Sequence, residues 1–287
     1  MPRAASRAPT EPPYRPPAEP DWSRPWFAPW ARLGPALWAA WRGGAALAEA
    51  LNVTARRHGV GAAPVFVAAA GRRAAEPYEA LVARTRTVPV RDTLHDALNG
   101  LVWLHRPALK WALNHVHAQQ IALHGAGGRR GAVRDALTLL DENGVLLAAP
   151  PGLVEALRRR DWAALFVGHR AAWAQARLEV VGHGLLEQLA RAPRKALTAH
   201  AWCVPAAHFD APALPAGLTP ASWTPLPVLG VPGWWPDNDD PKFYADAAVF
   251  RPGPGTRRDR PQLSALSGQP VGLPWAPTQP PSTTTTP

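Results

Sequence analysis

The chain has 287 residues, 47% of them hydrophobic, enough to bury one substantial core and near the upper limit for a single compact unit. The formal charge is +10, from 31 basic and 21 acidic residues, but the basic residues are scattered. The tightest group, Arg158, Arg159 and Arg160, falls at a predicted helix end, where cations are favoured anyway, so nucleic acid is not expected as a partner.

A single cysteine, Cys203, excludes an intramolecular disulfide and every multi-cysteine zinc site, and it suits a reducing compartment. Residues 1–20 are rich in Pro, Arg and Ala and contain no apolar leader, while 252–287 end in QPPSTTTTP; both are expected to be disordered tails around one domain at 21–251. The uncharged run 211–236 contains seven prolines and cannot be a spanning helix, which points to a soluble cytoplasmic protein with no membrane partner.

In chain order, Leu33, Leu37, Trp38, Trp41, Leu47 and Leu51 predict helix over 33–58 with a weak point at Gly43-Gly44. PVFVA at 64–68 reads as a short buried strand. Residues 78–87 fit strand or helix and should end at Pro89. Thr93 with Asp96 three residues on resembles a capping box opening a helix to about His105, and Pro107 suits the first turn of a second helix to about Leu123. The GAGGRRG run at 125–131 lacks the spacing of a phosphate or dinucleotide loop and reads as a flexible connector. In ALTLLDENGVLLAA two apolar runs flank Asn143-Gly144, which predicts a β-hairpin near 136–148. Helix is expected from 153 to 190, with Asp161 as an internal N-cap, Gly182 and Gly184 as weak points and Pro193 as its end. The segment from 205 onward is proline-rich and irregular. The fold class is therefore α+β: a mainly helical single domain with a small antiparallel sheet and a long C-terminal wrapping segment.

The pair of helices carries the densest polar pattern. On a helical wheel His95, Asp96, Asn99 and Trp103 fall within an arc of about 100°, opposite Leu94, Ala97, Leu98, Leu101 and Val102. Lys110, Asn114 and His117 form a similar stripe beside Leu109, Leu113 and Val116. A solvated face favours Lys, Glu and Gln over short polar groups and Trp, so the arc reads equally as a pocket wall, a buried network or plain surface.

Four ordered motifs, HDALNGLVWLHRPALKWALNHVH, RGAVRDALTLLDENG, GHGLLEQLARAPRKALTAHA and PLPVLGVPGWWPDNDDPKFYADAAVFRP, make roughly 63–251 resemble the bacterial family of domain of unknown function 3025. That family tends to carry aromatics near positions 97 and 106 and often Phe at 140, where this chain has Ala97, Arg106 and Leu140; these departures touch packing. The resemblance implies a recurring domain and no particular activity.

From the residues themselves, His95, Asp96 and His117 are the candidate catalytic groups, and Asn99, Lys110, Asn114 and Arg134 the candidate ligand-binding groups. Ligand types for a metal are present in His95, Asp96, His117, His183, Glu187 and His200, and His183–Glu187 has helix-face spacing, but no compact chelating motif occurs and no metal is assigned. Asp141 and Glu142 read as turn formers more readily than as catalysts. Cys203 with His200 is a weaker nucleophile pair. The cofactor is left open, as is whether the protein is an enzyme. The leading reading is a polar pocket that binds a small anionic ligand, with hydrolysis of that ligand as its further step. The alternative is a non-enzymatic interaction module meeting a protein partner at Trp234 and Trp235.

Overall fold

The computed structural model describes residues 16–69, 76–125 and 131–253. It has the α+β architecture expected, mainly helical with small sheets. Of the two expected tails, 1–15 and 254–287 lie outside the described residues, as do 126–130 of the glycine-rich connector. Residues 16–20 lie against the body: Trp38 Nε1 donates to Pro17 O at 3.3 Å, and Glu19 accepts from Trp22 Nε1 at 2.7 Å.

Helices α1 (Gly34–Arg42) and α2 (Leu47–Arg57) are separated at the expected glycine pair. Gly44 takes φ +98°, a conformation that side chains with a Cβ rarely adopt. The exposed N-terminus of α2 is closed from a distance, since Leu47 N donates to Asp92 Oδ1 at 2.7 Å.

Strand β1 (Val65–Ala68) forms where expected, yet only Phe66 is buried, while Val65 and Val67 are exposed. It pairs in parallel with β2 (Thr87–Val90) in a two-stranded sheet of its own. The outer edge of β1 is clamped by Asn52, whose amide both accepts from Phe66 N and donates to Phe66 O. The ambiguous stretch resolves into helix α3 (Tyr78–Thr85), stopped by Arg86 at φ 58°, and then β2. Pro89 sits inside β2, and the parallel register, with Val65 N donating to Arg86 O and Ala69 N to Val90 O, turns its missing N–H toward the unpaired edge.

The helix pair is α4 (Leu94–His105) and α5 (Pro107–His124). Thr93 caps α4, its side chain accepting from Asp96 N at 3.1 Å. The Asp96 carboxylate does not complete a reciprocal box but accepts from the backbone N and guanidinium of Arg91. Thr93→Ala is expected to cost about 1 kcal/mol, measurable as a shifted urea midpoint at unchanged slope. The polar arc of α4 is covered at Asp96, 8% exposed, and Trp103, 2% exposed, and half-buried at His95 and Asn99, so it is not a plain solvated face.

The hairpin expected at 136–148 does not form. Residues up to 143 belong to α6 (Ala132–Asn143), which runs directly into β3 (Gly144–Ala148). Ala136, Leu137 and Leu140, all buried, share one helical face. Gly144 has φ −80°, so Asn143-Gly144 supplies no positive φ for a turn. What glycine provides there is room, since a Cβ would lie 2.2 Å from Leu140 O. β3 is buried at all five positions because it is an inner strand of a sheet ordered β4-β3-β5-β6, with β4 (Arg177–Val180), β5 (Thr198–Cys203) and β6 (Thr224–Pro227). Its pairing is antiparallel to β4 and parallel to β5, and β6 runs antiparallel to β5.

The helical run expected over 153–190 is broken. It consists of α7 (Pro151–Arg159), a π-helical turn at Ala164–Gly168, a 3-10 stretch at Arg170–Gln175, the unanticipated β4, and α8 (His183–Arg191). Asp161 caps as expected, accepting from Ala164 N at 3.0 Å. The irregular segment after β5 wraps the core, burying Trp234, Phe243, Tyr244 and Phe250. No helix of the described residues is long and apolar enough to cross a membrane.

Candidate functional site

The structure divides the expected site residues between two neighbouring places. Lys110, Asn114 and His117 on α5 line a closed cavity together with Tyr78, Glu79, Trp103, Leu113 and Asp141. The cavity holds about 10 Å³, room for roughly one water. Asn114 Nδ2 donates to Glu79 Oε2 at 2.7 Å and to Glu79 O at 2.9 Å, Lys110 Nζ is paired with Asp141, and Asn99 reaches the Tyr78 hydroxyl. Burial raises the Glu79 carboxyl and the Tyr78 hydroxyl above their ordinary values. Burial also pushes Asp141 up, but Lys110, then His183 and His117, outweigh it and hold that carboxyl low. The α5 stripe is thus a buried hydrogen-bonded network around about one water-sized void.

His95 belongs to the second place, an open cluster where the N-terminal turns of α4 and α8 meet the last turn of α6. Its Nδ1 lies 2.9 Å from Glu187 Oε2, and its Nε2 lies 3.1 Å from Nε2 of His183. His183 Nε2 is also 3.4 Å from Glu142 Oε1, and its Nδ1 is 3.8 Å from Asp141 Oδ2. One donor atom each from His95, Glu142 and His183 falls within 4.8 Å of the others, a set that could hold a metal ion. Side-chain exposure is 34% for His95 and 39% for Glu142 but 5% for His183, so the cluster has a buried floor and an open rim. The hydrogen bond from His183, with its charge, holds the Glu142 carboxyl below its usual range despite partial burial. At the rim, the largely exposed Arg191 bonds Glu187 Oε1 at 3.0 Å, and Arg91 holds Asp96.

Backbone packing builds this junction. Val181 N and Gly182 N both donate to Gly144 O, at 3.0 and 2.9 Å, which seats the start of α8 on the end of α6. At Gly184 a Cβ would lie 2.6 Å from Glu142 Oε2, so the absent side chain makes room for the carboxylate. Asp141 joins the two places, facing Lys110 on one side and His183 on the other.

Of the remaining expected residues, Asp96 is committed to Arg91 rather than to His95, because neighbours on a helix point about 100° apart. Arg134, in the first turn of α6, lines neither place, and its Nε is buried with no hydrogen-bond partner among the described residues. His200 and Cys203 are three apart on β5, hence on opposite faces of a strand and unable to act as a pair. Sequence reasoning left His183, Glu187, Asp141 and Glu142 out of the site. The usable signals were the His183–Glu187 spacing and the fact that DENG and GHG each carry glycine beside titratable groups.

Residues 65–254 match the family described as Protein of unknown function (DUF3025). The chain belongs to the DUF3025 family. All members of the open cluster and of the cavity lining lie within the DUF3025 segment. No curated protein and no solved structure matches the chain.

Proposed function

We propose that this DUF3025 protein binds a small anionic ligand at the open cluster and hydrolyses it, with His95 and His183 as the acid–base groups. The observation that carries this reading is the pair of imidazoles facing each other at the bottom of a solvent-open rim, His95 directly backed at Nδ1 by Glu187 and His183 facing Asp141. A carboxylate behind one ring nitrogen orients the ring and leaves the other to take or give a proton. Arg91 and Arg191, paired with Asp96 and Glu187 but at 68% and 65% side-chain exposure, keep guanidinium groups beside the rim that an anion could reach. Among the expected ligand-binding residues, Lys110, Asn114 and Asn99 act from behind as the network that holds Asp141 and α5, and His117 belongs with them. The interaction-module reading is weakened at Trp234, which is 6% exposed and packs on Trp26 at 6.0 Å, while Trp235 is half-buried.

The test is a thermal-shift series with phosphate, small carboxylates and nucleotides, followed by turnover of the corresponding esters, in wild type, His95→Ala and Asn114→Ala. Stabilisation and turnover present in wild type and abolished in His95→Ala are expected. Equal stabilisation in wild type and His95→Ala, or its loss only in Asn114→Ala, would remove the cluster as the site.

A further inference from the structure

We infer that His95, His183 and Glu142 bind a divalent transition-metal ion, with Glu187 and Asp141 as the outer groups that orient the two imidazoles. The inference rests on the proposal that this cluster is the working centre, and it changes the part the imidazoles play: with an ion bound they would be ligands rather than acid–base groups.

Glu187 Oε2 is 2.9 Å from His95 Nδ1, and a carboxylate only accepts, so the ring proton sits on Nδ1 and Nε2 carries a lone pair. Among the described residues His183 Nδ1 has no hydrogen-bond partner, its nearest anionic oxygen being that of Asp141 at 3.8 Å, so in the metal-free protein its ring proton sits on Nε2, facing His95 Nε2 and Glu142 Oε1. That one proton lies in a gap only 3.1 Å wide between the two Nε2 atoms, with Glu142 Oε1 at 3.4 Å from that of His183. A metal ion would take its place and accept electron pairs from all three atoms, which lie within 4.8 Å of one another, the proton moving to His183 Nδ1 or to solvent.

The spacing fits a metal. With metal–nitrogen bonds of about 2.0–2.1 Å, two ligands of a tetrahedral ion stand about 3.3 Å apart, close to the observed separation. Two imidazoles and one carboxylate suit zinc, iron(II) or manganese, whereas magnesium and calcium prefer all-oxygen shells. A structural zinc site is closed by four protein ligands. Here the protein supplies three, and the exposed sides of His95 and Glu142 face solvent, leaving positions for water and for the anion. When bound, the metal would polarise that water and the anion's ester group. Glu187, 2.9 Å behind His95 Nδ1, repeats the pattern of metal-bound histidines whose second nitrogen is held by an acid, and Asp141 faces the second nitrogen of His183 from 3.8 Å. The ligands come from the starts of α4 and α8 and the end of α6, and the backbone contacts around Gly144 and Gly182 fix α8 on α6.

The experiment uses the full chain without a polyhistidine tag, stripped with chelator and titrated calorimetrically with zinc, manganese and cobalt(II), with the visible spectrum of the cobalt form recorded. One ion per chain and a tetrahedral or five-coordinate cobalt spectrum are expected. Affinity should fall about 10- to 100-fold in Glu187→Gln, fall further in His95→Ala and Glu142→Gln, and stay unchanged in His115→Ala, whose ring is exposed on another face of α5. His183 is buried, so its variant is not needed; His95→Ala, checked by circular dichroism, carries the same information. Binding of no ion by folded wild type, or the same affinity in wild type and His95→Ala, overturns the inference. Ligand stabilisation that is indifferent to chelator would sink the metal while leaving the hydrolytic proposal standing. Metal binding without any ligand response or turnover would do the reverse.

Discussion

Arg106→Met is expected to lower the unfolding free energy at neutral pH by about 3–5 kcal/mol, the range for breaking a buried ion pair by removing one partner. Arg106 is 8% and Glu179 5% exposed, and the guanidinium makes a two-pronged contact with the carboxylate at 2.8 and 2.6 Å while its third nitrogen donates to the carbonyls of Phe209 and Asp210. Met preserves most of the aliphatic stem but leaves Glu179 buried and the two carbonyls without their donor. The pair ties β4 to the end of α4 and to the irregular segment after β5, so its loss is felt across the sheet.

The same pair dictates a pH dependence. Burial alone would raise the Glu179 carboxyl, but hydrogen bonds from Arg106 and His105 and their charges overcome it and bring the value down to about 2. A carboxyl held low when folded stabilises the fold above its ordinary range, near 4.5, and that contribution disappears as pH falls from there toward 2. The gap between wild type and Arg106→Met in urea unfolding should therefore be wide at pH 7 and narrow toward pH 3. A gap of constant width would show that the loss comes from packing and the carbonyl bonds rather than from the ion pair.

The second large effect is expected at Gly182. A Cβ there would lie 2.4 Å from Gly144 N and 2.6 Å from Asn143 N, and both are backbone atoms fixed by the hydrogen bonds to Gly144 O. Gly182→Ala must push α8 away from α6, at a cost of about 3 kcal/mol and a melting temperature lower by roughly 10 °C. Gly184→Ala provides the contrast. Its Cβ meets chiefly the end of the Glu142 side chain, which can swing aside, and the exchange is favourable for helix by about 1 kcal/mol. Stability close to wild type is expected, with the Glu142 carboxylate displaced. Equal melting temperatures for Gly182→Ala and wild type would show that the α6–α8 contact is looser than its geometry implies.

Much of the local structure was legible because its causes are local. The glycine pair between α1 and α2, Thr93 ahead of α4, Pro107 opening α5 and Asp161 capping the turn before Ala164 each act on neighbouring backbone. The family could likewise be read from ordered motifs. The hairpin failed for an equally physical reason. ALTLLDENG satisfies a helical face as well as a strand pattern, and Asn143-Gly144 resembles a turn until Leu140 O is seen to occupy the space a Cβ would need. β4 was hidden because its four residues, with Glu179 and Val180 both buried, are embedded in a longer run with helical propensity.

For the site, periodicity identified His95 and the α5 stripe as residues unsuited to a solvated face, and α4 and its neighbours do cover most of them. Periodicity reports which residues share a face but not what the face meets. That Lys110, Asn114 and His117 close around a water-sized void, while His95 turns instead to His183, Glu142 and Glu187, was decided by the docking of α8 onto the end of α6. Composition, caps and breaks, which depend on residues a few positions apart, were determined by the sequence alone. The converging donors come from three helices far apart in the chain, and only tertiary packing, through the backbone contacts at Gly144 and Gly182, brings them within reach of one another.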